Sequence, residues 1–308
     1  MTKTALLFAG QGSQIPGMGR DFAERFPSAK KWFARADEVL GLDLSGVCFS
    51  GSEPELTRTE NAQPGIYLVS WVAFQLLRER LPAFRFEAAA GLSLGEFTAL
   101  AAAAVFSFED GLNVVRDRGR FMQEACETTR GSMAAIIGLE ESATWEICLA
   151  SGVELANLNC PGQLVISGEV EKIQAACEMA KLKGAKRALP LNVAGAYHSR
   201  LMASAQGRLE AALGRIPLQL PEVPVIANVT ALPHAAPPDI HHRLVEQVTA
   251  PVRWEASVRY LIGQGINRFI EIGPGTALSG FTKRIDKNVQ TLNVGDVASL
   301  EATVAALQ

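Results

Sequence analysis

Several common structural resources are scarce in this chain. Its five cysteines, Cys48, Cys126, Cys148, Cys160 and Cys177, are spread over 308 residues without a single C-x-x-C pair. That excludes a disulfide framework and a metal site built on thiolates, and leaves reduced, buried thiols. No run of about 18 uninterrupted apolar residues exists, and the N-terminal run Ala5 to Ala9 is too short for the core of a secretion signal. Neither a membrane span nor export is expected, and the cytoplasm is the expected location. The net charge is only −3, and Lys and Arg nowhere gather densely enough to follow a phosphate backbone, which excludes a general nucleic-acid binder. Histidine is rarer than cysteine, with four in all, so any chemistry that needs an imidazole has few choices. Apolar residues, by contrast, make up 48% and charged ones 20%, the balance of a globular protein with a sizeable core. One large domain carrying an insertion is the economical arrangement at this length.

The most informative stretch is Gly91-Leu92-Ser93-Leu94-Gly95-Glu96. It follows the apolar run Phe86 to Ala90 and opens the Ala-rich segment Phe97 to Val105, so it reads as strand, tight turn and helix. This is the context of a G-x-S-x-G nucleophile elbow, and Ser93 is the candidate nucleophile. Upstream, residues 4–9 read as a strand that runs into Gly10-Gln11-Gly12-Ser13-Gln14, a loop at a strand's carboxyl end and a candidate wall of the site. A dinucleotide fingerprint fails because Ile15 stands where its third glycine belongs, and a P-loop would need Lys in place of Met18. Apolar spacing predicts two short helices between Asp21 and Leu40, broken at Pro27. A longer helix is predicted from Ile66 to Arg80, after a turn at Asn61-Ala62-Gln63-Pro64. Ser107 to Asp110 resembles a capping box that starts a helix reaching about Ala125. On it Arg116 and Arg120 share a face with Gln123 and Glu127 that points at water, whereas Arg118 falls on the stripe of Val114, Phe121 and Ala125 and points at protein. An arginine aimed at protein needs an anionic partner: a structural carboxylate, which helical geometry alone favours, or a substrate carboxylate held bidentately.

Between Gly131 and Ala194 the predicted order is β-α-β-β-α-β, a ferredoxin-like pattern that forms a small inserted domain and a cleft beside the elbow. Beyond it, further βα units complete a largely parallel sheet, with strands at 223–228, 268–272 and 289–294. The predicted fold class is therefore α/β. Residues 1–128 and 195–308 make an α/β-hydrolase-like core, and residues 129–194 a ferredoxin-like subdomain. His198 is the favoured partner for Ser93, because His234, His241 and His242 lie in or beside a Pro-rich stretch. No Asp occurs between Arg118 and His198, so the Ser…Asp…His order of ordinary α/β-hydrolases would need a Glu from the insert or from the elbow's own helix. That weighs against a standard lipase or esterase.

Seven segments in order carry a resemblance: Phe8 to Gln14, the GLSLGE elbow, Arg118 to Gln123, Asn159-Cys160-Pro161-Gly162-Gln163, the His198 segment, Gln247 with Pro251 to Trp254, and Glu271 to Gly275. The chain resembles the malonyl-CoA:acyl carrier protein transacylases of fatty acid synthesis and the acyltransferase domains of polyketide synthases, nearly end to end. The resemblance implies that Ser93 is the nucleophile and His198 the general base, its imidazole held by a neutral oxygen at Gln247. The oxyanion hole would be the backbone N–H groups of Gln11 and Leu94. Arg118 would clamp the free carboxylate of a malonyl group, which reverses the preference from helical geometry, and Tyr197 and Asn159 would contact substrate. No bound cofactor or metal is implied. The substrates would be malonyl-CoA and phosphopantetheinylated acyl carrier protein, the intermediate a malonyl-serine, and the working form a monomer. A chain without fused synthase domains points to fatty acid synthesis. Lys183, Lys186, Arg187, Lys283 and Arg284 are candidates for docking the carrier.

Two positions depart from the family pattern. Leu92 stands where many members have His, and Tyr197 where Phe is common; a bulky ring there goes with malonyl rather than methylmalonyl. Two other readings compete with the transferase: a serine thioesterase or esterase using the same Ser93 and His198, and a carrier-binding module that has lost catalysis.

Overall fold

The computed structural model describes residues 2–308. Among the described residues nine strands follow one another: β1 (Thr4–Phe8), β2 (Ala88–Gly91), β3 (Gly131–Ile137), β4 (Glu154–Cys160), β5 (Gln163–Glu169), β6 (Arg187–Pro190), β7 (Val225–Ile226), β8 (Arg268–Ile272) and β9 (Gln290–Val294). Five of them form a wholly parallel sheet in the order β7-β2-β1-β8-β9. All residues of β1 and β2 are buried, as expected of central parallel strands covered by helices on both faces, which therefore read as unbroken apolar runs. The long helix Thr59–Arg80 packs against the helix Phe108–Thr128, and Trp71 stacks on Phe108 with ring centroids 5.4 Å apart.

The other four strands form a wholly antiparallel sheet in the order β4-β5-β3-β6, spanning residues 131–190. Its two faces do different jobs, because side chains alternate along a strand. Ala134, Ile136, Leu155, Leu158, Leu164 and Ile166 form a small core with the helices Glu141–Ser151 and Val170–Leu182. Met133, Asn157, Asn159 and Val165 line a cavity shared with the parallel sheet. Leu155 and Leu158 lie an odd number of residues apart, yet share the core face. The β4–β5 register breaks between Leu155 and Asn157, and again between Leu158 and Cys160, and such bulges re-aim side chains.

Most sequence-predicted elements lie within a residue or two of their expected positions, and four differences have clear causes. The predicted turn at Asn61 to Pro64 is the first part of a helix, since Asn61 and Ala62 donate to Arg58 O (2.9 and 2.8 Å). Pro64 there forfeits a single intrahelical bond, while Ala62, Gln63, Pro64 and Gly65 are all buried. The predicted strand at 223–228 shrinks to Val225–Ile226 at the sheet edge. Four helices, Leu44–Ser50, Glu53–Thr57, Ala203–Leu213 and Ala277–Ile285, were not anticipated. Finally, Gln123 is buried rather than facing water, because its side chain accepts from the Thr59 N–H at the start of the neighbouring helix (3.1 Å).

The elbow depends on backbone contact. A Cβ on Gly91 would lie 1.9 Å from the Gly95 carbonyl carbon, and one on Gly95 only 2.2 Å from Phe8 O. Gly95→Ala is expected to cost about 3 kcal/mol, whereas Gly207→Ala, in a helix with nothing within 4 Å of the new methyl, should stabilise by about 0.5–1 kcal/mol. Urea unfolding of both variants checks the pair.

Candidate active site

β1 and β2 are neighbours, with Phe8 in register with Gly91, so the glycine loop after β1 and the elbow after β2 emerge side by side. They meet at the carboxyl edge of the parallel sheet, where open α/β sheets hold their ligands. A cavity of about 270 Å³ opens there, walled by this loop, Ser93, Tyr197, His198, the antiparallel sheet and Leu278 and Phe281.

Ser93 is the residue before the helix Leu94–Ala102, with φ 53° and ψ −104°. His198 also has positive φ, 58°. Neither residue is a glycine, and both backbones sit in a strained region of the kind that surrounding structure must hold in place. Asn228 straddles the elbow: its Oδ1 accepts from Ser93 N (2.6 Å) and its Nδ2 donates to Gly91 O (2.8 Å).

The Ser93 hydroxyl lies 2.9 Å from His198 Nε2. On the other side of the ring, Nδ1 is 2.8 Å from the Gln247 main-chain oxygen. A carbonyl only accepts, so the proton sits on Nδ1 and Nε2 is the free base facing Ser93. The neutral oxygen expected at Gln247 is thus its main-chain carbonyl. The side chain does something else: Nε2 donates to Ser93 O (2.9 Å) and Glu96 Oε2 (2.6 Å), while Oε1 accepts from Arg118 (2.9 Å). A Glu from the elbow's own helix is present, but it sits behind Gln247 and does not contact the imidazole.

Arg118 is 1% exposed. Its guanidinium donates to Gln63 Oε1 (2.6 Å), Gln247 Oε1 (2.9 Å) and Ser93 Oγ (3.1 Å), and lies 5.4 Å from the Phe97 ring centroid. Every one of these acceptors is neutral. The structural carboxylate that helical geometry favoured is not there, and the nearest negative charge, Glu96, is reached only through the Gln247 amide. Burial pulls the guanidinium down to about 10, which leaves it charged at neutral pH. Burial, and then the Arg118 cation, push the His198 imidazole down to about 4, so it is a free base at neutral pH.

A chain of polar side chains continues from Arg118. Gln63 donates to Gln11 Oε1 (3.1 Å), and Gln11 Nε2 donates to the Tyr197 hydroxyl (3.3 Å). That hydroxyl lies 2.5 Å from Thr59 Oγ1. The Gln11 side chain is thereby tied down, and its N–H, like that of Leu94, has no protein acceptor among the described residues. Leu94 N–H opens a helix, where donors are free and the dipole favours an anion. Asn159 Oδ1, buried against the cavity, likewise has no hydrogen-bond partner.

The structure therefore brings Gln11, Ser93, Asn159, Tyr197 and His198 to the wall of one cavity, with Arg118 and Gln247 hydrogen-bonded to Ser93 and Leu94 following it at the start of the elbow helix. The basic candidates are more scattered. Lys183 pairs with Glu146 (2.5 Å) beside the helices of the antiparallel sheet. Arg284, by contrast, lies one turn beyond the cavity residue Phe281 and donates to Gln163 Oε1 (2.5 Å) and Pro161 O (2.9 Å). Gln63, Thr59 and Asn228 were not singled out by sequence reasoning, whereas Glu96 is the Glu of the elbow's own helix that was weighed as a partner for the imidazole. Asn228 carried a faint signal, as a polar residue ending an apolar strand.

Known proteins are similar to this chain along its whole length. The model of the acyl transferase domain family matches residues 5–300. A malonyl CoA-acyl carrier protein transacylase of Bacillus subtilis (strain 168) is 43% identical, covering 100% of this chain and 98% of that protein. The crystal structure of an acyl-carrier-protein S-malonyltransferase from Bartonella henselae superposes with a TM-score of 0.95 at 39% identity, over 99% of each chain. A malonyl-transacylase solved in complex with a type II polyketide acyl-carrier protein superposes with a TM-score of 0.96 at 38% identity, over 99% of this chain and 100% of that one.

The depressed His198 has a measurable signature. Labelling of Ser93 by a fluorophosphonate should hold its rate down to about pH 5 and fall with a midpoint near 4; a midpoint near the ordinary value of about 6.5 would mean that the imidazole is not held down in this way. Between those pH values the unfolded chain binds a proton that the folded chain excludes, so stability should fall as pH is lowered through the window.

Proposed function

This chain belongs to the acyl transferase domain family, and on that premise we propose that it moves a malonyl group from malonyl-CoA to the phosphopantetheine thiol of acyl carrier protein. It is an acyl-carrier-protein S-malonyltransferase working through a malonyl-serine intermediate. One observation carries the choice of acyl group: a buried guanidinium 3.1 Å from the Ser93 hydroxyl, surrounded by neutral acceptors alone. A buried cation without a carboxylate is costly unless something anionic completes it, and the free carboxylate of a malonyl group supplies that anion bidentately.

In the first half-reaction His198 Nε2 takes the Ser93 proton as Oγ attacks the thioester carbonyl. The N–H groups of Gln11 and Leu94 receive the developing oxyanion, a contribution of about 3–4 kcal/mol per donor in comparable sites. The imidazolium forms with Nδ1–H on the Gln247 carbonyl, and it returns the proton to the departing CoA thiolate. In the second half the carrier's thiol gives its proton to His198 and takes the malonyl group, which restores Ser93. Malonyl-CoA and the carrier are the only co-reactants this scheme needs. Asn159 Oδ1 is suited to accept an amide N–H of either pantetheine arm, and an occupied cleft keeps water from the acyl-serine.

The parallel sheet with its elbow supports an α/β-hydrolase-like core of residues 1–128 and 195–308. The strand order β4-β5-β3-β6, all antiparallel, supports a ferredoxin-like subdomain of residues 129–194. Lys283 and Arg284 near the cavity, with Lys186 and Arg187 on the insert, are the proposed docking residues for an acidic carrier. No helix of the described residues is long and apolar enough to cross a membrane, and we place the enzyme in the cytoplasm as a monomer of fatty acid synthesis.

Intact mass after brief mixing with malonyl-CoA should reveal a malonyl adduct that is absent in Ser93→Ala and discharged by added carrier. Free malonate appearing faster than transfer would make the protein a hydrolase. Arg118→Ala should lower malonyl kcat/KM by about a hundredfold or more while sparing acetyl transfer; equal losses on both would make Arg118 structural. With the Tyr197 ring fixed by Thr59 and Gln11, methylmalonyl-CoA should be a poor donor, and turnover comparable to malonyl-CoA would refute that assignment.

A further inference from the structure

Behind the catalytic groups lies a pair that the mechanism does not use. Glu96 and His234 are both buried, with side chains 0% exposed, and His234 Nε2 lies 2.7 Å from Glu96 Oε1. The other carboxylate oxygen, Oε2, accepts from Gln247 Nε2 (2.6 Å) and from Asn228 N (3.1 Å). Three residues more than 130 positions further along the chain therefore converge on one carboxylate of the elbow helix: Asn228 after β7, His234 in the loop beyond it, and Gln247, which ends the helix Pro237–Glu246.

The consequence follows from the chemistry of an amide. The two ends of the Gln247 side chain have nearly the same shape but opposite polarity, so only the surroundings decide which end faces Arg118. With Glu96 present, the NH2 end faces the carboxylate and Ser93 O, and the oxygen faces the guanidinium. Turned over, the same amide would set donor against donor at Arg118 and acceptor against acceptor at Glu96, and with all three side chains buried either clash would be costly. The Asn228 main chain is fixed by the same oxygen, and its side chain clamps the strained Ser93 peptide. His234 occupies Oε1, so the carboxylate cannot rotate away from its other partners.

We propose that Glu96, held by His234, is a positioning residue that orients the Gln247 amide toward Arg118 and, through Asn228, holds the elbow. It takes the orienting place of a triad carboxylate while standing one residue further from the imidazole. The idea rests on the transferase reading for its kinetic test, and on Ser93 alone for a second test.

Glu96→Gln, His234→Leu and His234→Gln would be made in the full chain. For each, kcat and KM would be measured with malonyl-CoA and acetyl-CoA, together with the fluorophosphonate labelling rate of Ser93 and the thermal midpoint. Glu96→Gln should lower kcat with both donors by about tenfold or more, the scale on which partners behind an active group act, and should raise KM for malonyl-CoA alone. His234→Leu should act in the same direction, and His234→Gln, whose amide can still donate to Glu96, should recover most of the loss. If Glu96→Gln does not fold, the two His234 variants decide. A folded His234→Leu with constants within about twofold of the parent would overturn the proposal. So would a loss that merely tracks the folded fraction with an unchanged malonyl-to-acetyl ratio. Should the parent itself form no malonyl adduct, the transferase reading fails instead, and the labelling rates still report whether the pair holds Ser93.

Discussion

A positive charge that the fold refuses to neutralise governs this site. Arg118 is buried as deeply as a core leucine, and the atoms that meet it are amide and hydroxyl oxygens. Those oxygens hold the guanidinium in place without cancelling it, which leaves the charge open to the carboxylate that we propose the substrate brings. The same cation helps to keep His198 unprotonated, so in the proposed mechanism one buried charge would serve both recognition and the readiness of the base. Glu96 completes the arrangement at one remove. It is close enough to lower the cost of the buried cation, yet separated by the Gln247 amide and so unable to take the substrate's place.

How far this could be read from the chain depends on whether the groups involved are neighbours in sequence. The elbow was legible because its strand, turn and helix are contiguous and its glycines report backbone contact directly. The inserted βαββαβ segment was legible because each element carries its own period. Arg118 was legible as buried from helical phase, but its partner was not, since Gln63 lay in what reads as an Asn-Ala-Gln-Pro turn. Gln123 was misread for a related reason: helical phase says which way a side chain points, and not that the end of another helix lies across it. Asn228 and the Glu96–His234 pair could not be found locally, because their meaning arises only where remote segments meet. The identity of the Gln247 oxygen was hidden as well, since a sequence motif does not distinguish a residue that acts through its side chain from one that acts through its peptide.

The two sheets divide the labour. The loops after β1 and β2 of the parallel sheet carry Gln11, Ser93 and Leu94, the helix Phe108–Thr128 carries Arg118, and the segment after β6 carries His198, whereas the antiparallel sheet gives Met133, Asn157, Asn159 and Val165 to the cavity wall. Backbone strain sits on both sides: Ser93 and His198 are the non-glycine residues with positive φ on the cavity wall, and both are fastened by hydrogen bonds from more than one direction.

The double bulge in β4 sets the terms on which that opposite wall could be rebuilt. Because the two register breaks let Leu155 and Leu158 share the core side while Asn157 and Asn159 share the other, the strand's residue count is itself part of the binding surface. Exchanging one asparagine for another small polar residue would alter a single contact, but inserting or deleting one residue between 155 and 160 would turn every strand residue on one side of the change to the opposite face, moving an asparagine toward the small core or a leucine toward the cavity. An engineer wishing to reshape this wall of the cavity should therefore vary the letters of this strand and never its length.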